Sequence, residues 1–149
     1  MNEFNIYLAG GMQKFGKEDF DECNYWRLHI KKQLQLELCN LNKRTNVCNP
    51  NDYYSFADAE PQYSTHREIM EFDLNKVRNS DLLIANFNDP KSLGTMSEIA
   101  IAYEHRIPVI GLVSDELYPS LHPWQKEMCN KIFGNIDELI DYVVNYYIC

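Results

Sequence analysis

Short apolar segments alternate with amphipathic segments along the chain, an order typical of a parallel sheet with helices packed on its faces. The first apolar segment alternates in polarity and ends at the Gly10-Gly11 doublet, which predicts a strand followed by a tight turn. The predicted strands are Phe4–Ala9, Thr45–Cys48, Asp81–Phe87, Pro108–Val113 and Lys131–Phe133.

Helix-capping residues precede most of the amphipathic segments. Asp19 with Glu22 and Thr65 with Glu68 have the spacing of capping boxes, and Asn135 stands three residues before Glu138. The predicted helices run from Asp19 to about Leu38, from Thr65 to about Asn79, from Thr95 to about His105, and from Asn135 through Val144.

The pattern predicts an α/β fold in which a flavodoxin-like five-stranded parallel sheet, order 2-1-3-4-5, has helices on both faces. Ligands of such sheets bind beyond the carboxyl ends of the strands, at the switch point between the first and third. The loops there are Gly10-Gly11-Met12 and Asn88–Thr95, and the residues expected to bind the ligand are Gly10, Gly11, Met12, Asn88, Ser92 and Gly94. Their glycines allow a backbone to approach a ligand, although a strand-to-helix turn alone also explains them. The polar, aromatic loop from Asn49 to Ser64 is predicted to cover the site.

Length and composition indicate a single globular domain over residues 1–149. The chain has 45% hydrophobic and 24% charged residues, close to the globular average. We find no membrane-spanning segment and no signal peptide, and therefore expect a cytoplasmic protein. The five scattered cysteines are interpreted as free buried thiols. The net charge of -8 argues against duplex nucleic acid as a partner.

Several other functions lack their motifs. No G-x-G-x-x-G follows the first strand and no P-loop is present, and the third strand lacks the terminal aspartate of a phospho-acceptor receiver domain. The four histidines lack metal-ligand spacing, so no metal or other cofactor is expected.

Glu98 is the strongest candidate for chemistry, because it lies near the start of the helix that follows the second switch-point loop. A carboxylate there faces the crevice. The spacing Thr95-x-x-Glu98 also fits a capping box, and spacing alone favours that structural role.

Asp73 is a second candidate, because it lies between Ile69 and Val77 on the apolar stripe of its predicted helix. An unpaired buried carboxylate costs several kcal/mol, so it needs hydrogen-bond donors or a role at the edge of the core. A hydrogen-bonded structural aspartate remains the alternative.

Together these residues resemble the nucleoside 2-deoxyribosyltransferase superfamily, which includes the 2'-deoxynucleoside 5'-phosphate N-hydrolases. The resemblance covers most of the chain, in order and spacing. The segments that carry it are Ile6–Met12, Phe72–Leu74, Asn79–Ala85, Ser92–Tyr103 and Pro108–Ile110.

The resemblance implies that Glu98 attacks the anomeric carbon and that a second base or water resolves the glycosyl-enzyme. It also implies that Asp73 helps to protonate the leaving base and that Tyr7 holds Glu98 in place. An oxocarbenium-like transition state gains from such a nearby anion and a protonated leaving group.

The same resemblance bears on the substrate. The transferases usually have aspartate at the position of Ser92, whereas the monophosphate hydrolases have Ser-Leu-Gly, and a hydroxyl beside helix-start amides suits a 5'-phosphate. The hydrolases also carry a serine and an arginine where this chain has Gly11 and Gln13. Arg27 or Arg67 can supply the missing charge, although a solvated surface arginine is the simpler interpretation of each.

Family members are usually dimers or larger, with a neighbour's C-terminal part closing the site. Pro123-Trp124, Tyr142, Tyr146 and Tyr147 suit such a contact, and core packing is the alternative. A strict monophosphate N-hydrolase, a nucleotide-binding module without turnover, and an enzyme for a dinucleotide or signalling nucleotide are the competing functions.

Overall fold

Five parallel strands form one sheet in the computed structural model of the protein, which describes residues 3–12, 20–40, 44–53 and 65–148. The strands are β1 (Phe4–Gly10), β2 (Thr45–Cys48), β3 (Leu82–Asn86), β4 (Val109–Leu112) and β5 (Lys131–Phe133). Their order is β2-β1-β3-β4-β5, which confirms the predicted flavodoxin-like α/β topology. The strand limits differ from the prediction by at most one residue.

The helices are α1 (Phe20–Asn40), α2 (His66–Arg78), α3 (Leu93–Glu104), α4 (Pro123–Met128) and α5 (Ile136–Val143), with a π-helical turn at Val144–Ile148. Short 3-10 turns occupy Pro50–Asp52 and Tyr118–Ser120. The sequence pattern did not predict α4. Its cap is a histidine, which is not a typical N-cap residue: His122 Nδ1 accepts from the Trp124 amide at 3.1 Å, and Gln125 Oε1 accepts from the His122 amide at 2.7 Å.

Two core layers lie on opposite faces of the sheet. Alternate side chains of β1 divide between them: Ile6 and Leu8 pack with α1 and α5, whereas Tyr7 packs with α2 and α3. Tyr7 therefore lies on the face that also carries Ile99 of α3.

The helix starts test the predicted caps. Thr65 Oγ1 accepts from the Glu68 amide at 3.2 Å, and Asn135 Oδ1 accepts from the Glu138 amide at 3.1 Å, so both predicted N-caps are confirmed. The prediction for α3 was wrong, because the helix begins at Leu93 and its N-cap is Ser92. The predicted Asp19–Glu22 box lies outside the described residues.

Cys48 and Cys129 carry free thiols. Cys23 and Cys48 are buried as expected, whereas Cys129 is half-buried. Burial raises the pKa of Cys48 to about 11 and that of Cys129 to about 12, so both stay protonated near neutral pH. Within the described ranges, no helix combines the length and apolar character that crossing a membrane requires.

Candidate active site

The carboxyl ends of β1 and β3 lie side by side, with Gly10 paired to Asn86. Immediately beyond them, the Gly11 amide donates to Asn88 Oδ1 at 2.9 Å. The two switch-point loops are therefore joined, and Asn88 is the residue that joins them. Met12, the last described residue of the first loop, is half-buried.

The glycines of these loops differ in how closely other atoms approach them. A Cβ on Gly10 would lie 2.6 Å from Trp26 Cζ2, and one on Gly11 would lie 2.8 Å from the Asp89 Cβ. Both positions are thus occupied by contacts within the protein. Around Gly94, by contrast, a Cβ would meet nothing within 4 Å, so the start of α3 is open.

Glu98 lies in the second turn of α3, not in the first as expected, because the helix starts two residues early. Ser92 Oγ accepts from the Thr95 amide at 3.3 Å, so Ser92 is the N-cap of α3. The capping box that the spacing of Thr95 and Glu98 suggested is not formed. Glu98 Oε2 is buried, and no hydrogen-bond partner reaches it from the described residues. The carboxyl is therefore not engaged in capping its helix.

The surroundings of Glu98 hold it largely protonated near neutral pH. Its pKa is raised to about 8, mainly by burial and also by the negative charge of Asp73, while a hydrogen bond from the Tyr7 hydroxyl and the positive charge of Arg27 oppose the shift. Three elements, β1, α1 and α2, thus bring a group to the carboxyl that α3 carries.

Asp73 and Tyr7 occupy the positions that the sequence predicted for them. Asp73 is half-buried on α2, where Val77, one turn further on, is fully buried. Tyr7 is buried on the same face of the sheet. Both act on the ionisation of Glu98, so the structure brings these three predicted residues together.

Arg27 differs from the expectation of a surface arginine. Its side chain is 0% exposed, and Nη1 and Nη2 each donate to a backbone carbonyl at 2.8 Å, those of Cys23 and Gly10. Arg67, the other candidate cation, is exposed and pairs with Glu71 at 3.0 Å.

Ser92 stands where β3 passes into α3. Its Oγ accepts from both the amide and the hydroxyl of Thr95, at 3.3 and 3.0 Å. The first amides of a helix have no intrahelical partner, and here they lie beside the open space at Gly94.

Gln125 is a contributor that the sequence did not reveal. It is buried on α4, and its Nε2 donates to the Pro90 carbonyl at 2.8 Å, so α4 supports the loop that leads into α3. A lone glutamine on an unpredicted six-residue helix gives no local signal of this contact.

The aromatic residues near the C-terminus are divided between core and surface. Tyr142 and Tyr147 pack partly against the core, whereas Tyr146 is 67% exposed and stacks on Tyr142 with ring centroids 5.0 Å apart. Trp124 is also exposed. Their contact with a neighbouring copy stays a prediction.

Two expectations fall on residues 13–19 and 54–64, outside the described ranges: the replacement of the phosphate-binding arginine by Gln13, and most of the covering loop. In the part of the chain that the structure describes, no cluster of three or more histidine, cysteine or acidic side chains is arranged to hold a metal ion.

Comparison with known proteins gives one family. The family model described as Nucleoside 2-deoxyribosyltransferase matches residues 6–140. No curated protein sequence matches significantly.

Several solved structures are similar in fold. A conserved protein from Enterococcus faecalis V583 is 19% identical with a TM-score of 0.73, covering 97% of this chain and 99% of its own. A 2-deoxyribosyltransferase from Bacillus psychrosaccharolyticus is 17% identical with a TM-score of 0.62, covering 93% and 91%. The CMP N-glycosidase of Clostridium botulinum is 18% identical with a TM-score of 0.55, covering 95% and 99%.

Proposed function

Because the chain belongs to the nucleoside 2-deoxyribosyltransferase family, we propose that it cleaves the N-glycosidic bond of a 2'-deoxynucleoside or its 5'-monophosphate, with Glu98 as the nucleophile. The observation that carries this proposal is the enclosure of one uncapped carboxyl by Tyr7, Asp73 and Arg27. A carboxyl that only stabilised its helix would instead bond to the helix amides.

The reaction needs a nucleophile and a proton for the leaving base, and we propose that the carboxyl groups of Glu98 and Asp73 provide them. Near neutral pH, Glu98 is mostly protonated while the Asp73 charge acts on it, so the pair holds one proton. We propose that this proton passes through Asp73 to the leaving base. As the bond from C1' to the base nitrogen breaks, the ionised Glu98 forms a bond from its oxygen to C1'.

The second half of the reaction reverses these roles. Water or another base attacks C1', and the bond to Glu98 breaks. Asp73 takes the proton of the attacking group, which restores the pair. The Tyr7 hydroxyl stabilises the Glu98 carboxylate whenever it is free, since its hydrogen bond favours the charged form.

A strict 5'-monophosphate N-hydrolase is the second candidate. It is favoured by the helix start at Ser92 and Gly94, because a hydroxyl donor and unpaired amides beside open space suit a phosphate. Gly11 argues against it, since its surroundings are filled by Asn88 and the acidic Asp89.

The decisive assay incubates the protein with deoxynucleosides and with their monophosphates, each with and without a second free base. Base release and base exchange are followed by chromatography. Glu98→Gln is expected to abolish both, whereas Glu104→Gln, an exposed acid on the same helix, is the matched control and keeps full activity.

The outcomes separate the candidates. Hydrolysis of monophosphates alone supports the hydrolase, and base exchange on unphosphorylated nucleosides contradicts it. Binding of these compounds without base release supports a nucleotide-binding module, and the enzymatic proposal is then wrong.

A further inference from the structure

Arg27 is the largest fully buried side chain of the described residues and carries a permanent charge inside the fold. An isolated buried charge is unfavourable by far more than a few kcal/mol, so such a residue persists only with good partners. The hydrogen-bond partners of Arg27 therefore indicate which part of the fold it stabilises.

Two of its partners belong to the last residues of β1. Arg27 Nη2 donates to the Gly10 carbonyl at 2.8 Å, and Nε approaches the Leu8 carbonyl at 3.5 Å. Nη1 donates to the Cys23 carbonyl on its own helix at 2.8 Å, and the guanidinium lies 4.7 Å from the centroid of the Trp26 ring. The side chain thus joins α1 to the end of β1.

Strand pairing explains why β1 needs such a donor. The backbone groups of Leu8 and Gly10 point toward β2, as does the Phe4 amide, which donates to the Arg44 carbonyl at 3.1 Å. However, β2 ends at Cys48, opposite Tyr7. Continued pairing would make the amide of Pro50 the donor to Leu8, and proline has no amide hydrogen. Arg27 provides donors where β2 provides none.

The lack of a side chain at Gly10 makes room for Arg27 and Trp26. A Cβ at Gly10 would lie 3.2 Å from Arg27 Nη2 and 2.6 Å from Trp26 Cζ2. The absence of a side chain lets the guanidinium and the indole reach the strand end. The next residue, Gly11, is the one that binds Asn88 of the opposite loop.

Arg27 is also the positive charge that acts on Glu98. The other groups that do so are Tyr7 of β1 and Asp73 of α2, and only Arg27 among them is a cation. The fully buried Arg27 is therefore the positive charge that opposes the effect of Asp73 on Glu98.

We propose that Arg27 is a positioning residue for the reaction at Glu98: it fixes the Gly10-Gly11 turn by replacing the missing pairing with β2, and it supplies the buried positive charge that balances Glu98 and Asp73. This inference rests on the proposed function for its catalytic part. It assigns Arg27 to the support of the site and not to contact with a substrate phosphate.

Two substitutions separate the charge from the hydrogen bonds. Arg27→Lys keeps the charge and loses the planar fork, whereas Arg27→Gln keeps an amide donor and loses the charge. Lys32→Gln, an exposed position on the same helix, is the control for a charge change alone.

The first readout does not depend on turnover. The Glu98 carboxyl is titrated by carbon-13 NMR on glutamate-labelled protein and assigned by its absence in Glu98→Gln. Its pKa is expected to be about 8 in the wild type, to stay near that value in Arg27→Lys and Lys32→Gln, and to rise in Arg27→Gln. The same pKa in Arg27→Gln as in the wild type overturns the electrostatic role.

The second readout is kinetic. Arg27→Lys is expected to lower kcat/KM by roughly tenfold with an unchanged pH profile, because the turn is held by fewer bonds. Unchanged kcat/KM in Arg27→Lys overturns the positioning role. This test does not depend on whether Arg27→Gln folds. If the wild type releases no base, the proposed function fails, and the NMR titration still decides the electrostatic role of Arg27.

Discussion

The Gly11 amide donates to Asn88 Oδ1 at 2.9 Å and ties the loop after β1 to the loop after β3. This bond spans the point where ligands bind in sheets of this topology. Asn88 was predicted to bind substrate. In the structure, its side chain accepts a hydrogen bond from the Gly11 amide of the opposite loop.

Asn88→Ala is therefore expected to destabilise the protein by about 1 kcal/mol and to raise KM, because the Gly11 amide loses its acceptor. Urea unfolding and steady-state kinetics measure the two effects. Asn88→Asp keeps an acceptor oxygen and is expected to recover most of the stability. Wild-type stability and KM in Asn88→Ala would show that the bond does not order the loops.

The pKa of Glu98 predicts how activity depends on pH. The proposed reaction uses the one proton held by the Glu98 and Asp73 pair, and Glu98 loses it with a pKa of about 8, so kcat/KM should be nearly constant just below pH 8 and fall about tenfold per pH unit above it. The profile between pH 5.5 and 9.5 measures this. A constant kcat/KM up to pH 9.5 would mean that base release does not need the proton of this pair.

The same shift makes the free energy of unfolding depend on pH. The pKa of Glu98 is raised from 4.5 in the unfolded chain to about 8 in the folded protein, so the folded state binds the extra proton between these values. The stability contributed by Glu98 is complete below pH 4.5 and is lost as the pH rises toward 8.

Glu98→Gln removes this dependence, because the amide does not titrate. The free energy of unfolding of the wild type should therefore fall relative to that of Glu98→Gln by at most about 1.4 kcal/mol per pH unit between pH 5 and 8. Denaturant unfolding of both proteins across this range gives the difference. Parallel curves would contradict the burial of the Glu98 carboxyl.

Two glycine substitutions should have opposite effects. Gly10→Ala places a Cβ against Trp26 and is expected to cost about 1–3 kcal/mol. Gly94→Ala meets open space in the first turn of α3 and should raise stability slightly, by about 0.4–1 kcal/mol. Thermal unfolding distinguishes them, and equal stability of the two variants would contradict the packing described for Gly10.

Gly94→Ala also tests the start of α3 as a phosphate site. If a phosphate lies over these amides, the added methyl should raise KM for monophosphates and leave KM for nucleosides unchanged. Equal changes for both substrates would argue against that site.

The sequence predicted the sheet order because its signals are local: the strands are short apolar segments and the caps Thr65 and Asn135 have clear spacing. It also placed Tyr7, Asp73 and Glu98 on elements that meet. Periodicity singled out Asp73 and the place after the second switch-point loop singled out Glu98, whereas Tyr7 came from the family resemblance.

The contacts that depend on distant parts of the chain were not predictable in this way. Spacing fits Thr95 as a cap for α3 as well as Ser92, and only the folded turn decides between them. The buried position of Arg27 depends on where β2 ends relative to β1. The contact of Gln125 with Pro90 joins segments 35 residues apart through a helix that has no regular pattern.

The most direct test of the account is to look for the sugar on Glu98 itself. A substrate with fluorine at C2' slows both steps by destabilising the oxocarbenium-like transition state, and with a good leaving base the glycosyl-enzyme accumulates. Mass spectrometry of the digested protein should then show the mass of the fluorinated sugar on the peptide that contains Glu98, and none in Glu98→Gln. Base release from the natural substrate without such an adduct, or an adduct on another residue, would contradict the role of Glu98 as nucleophile.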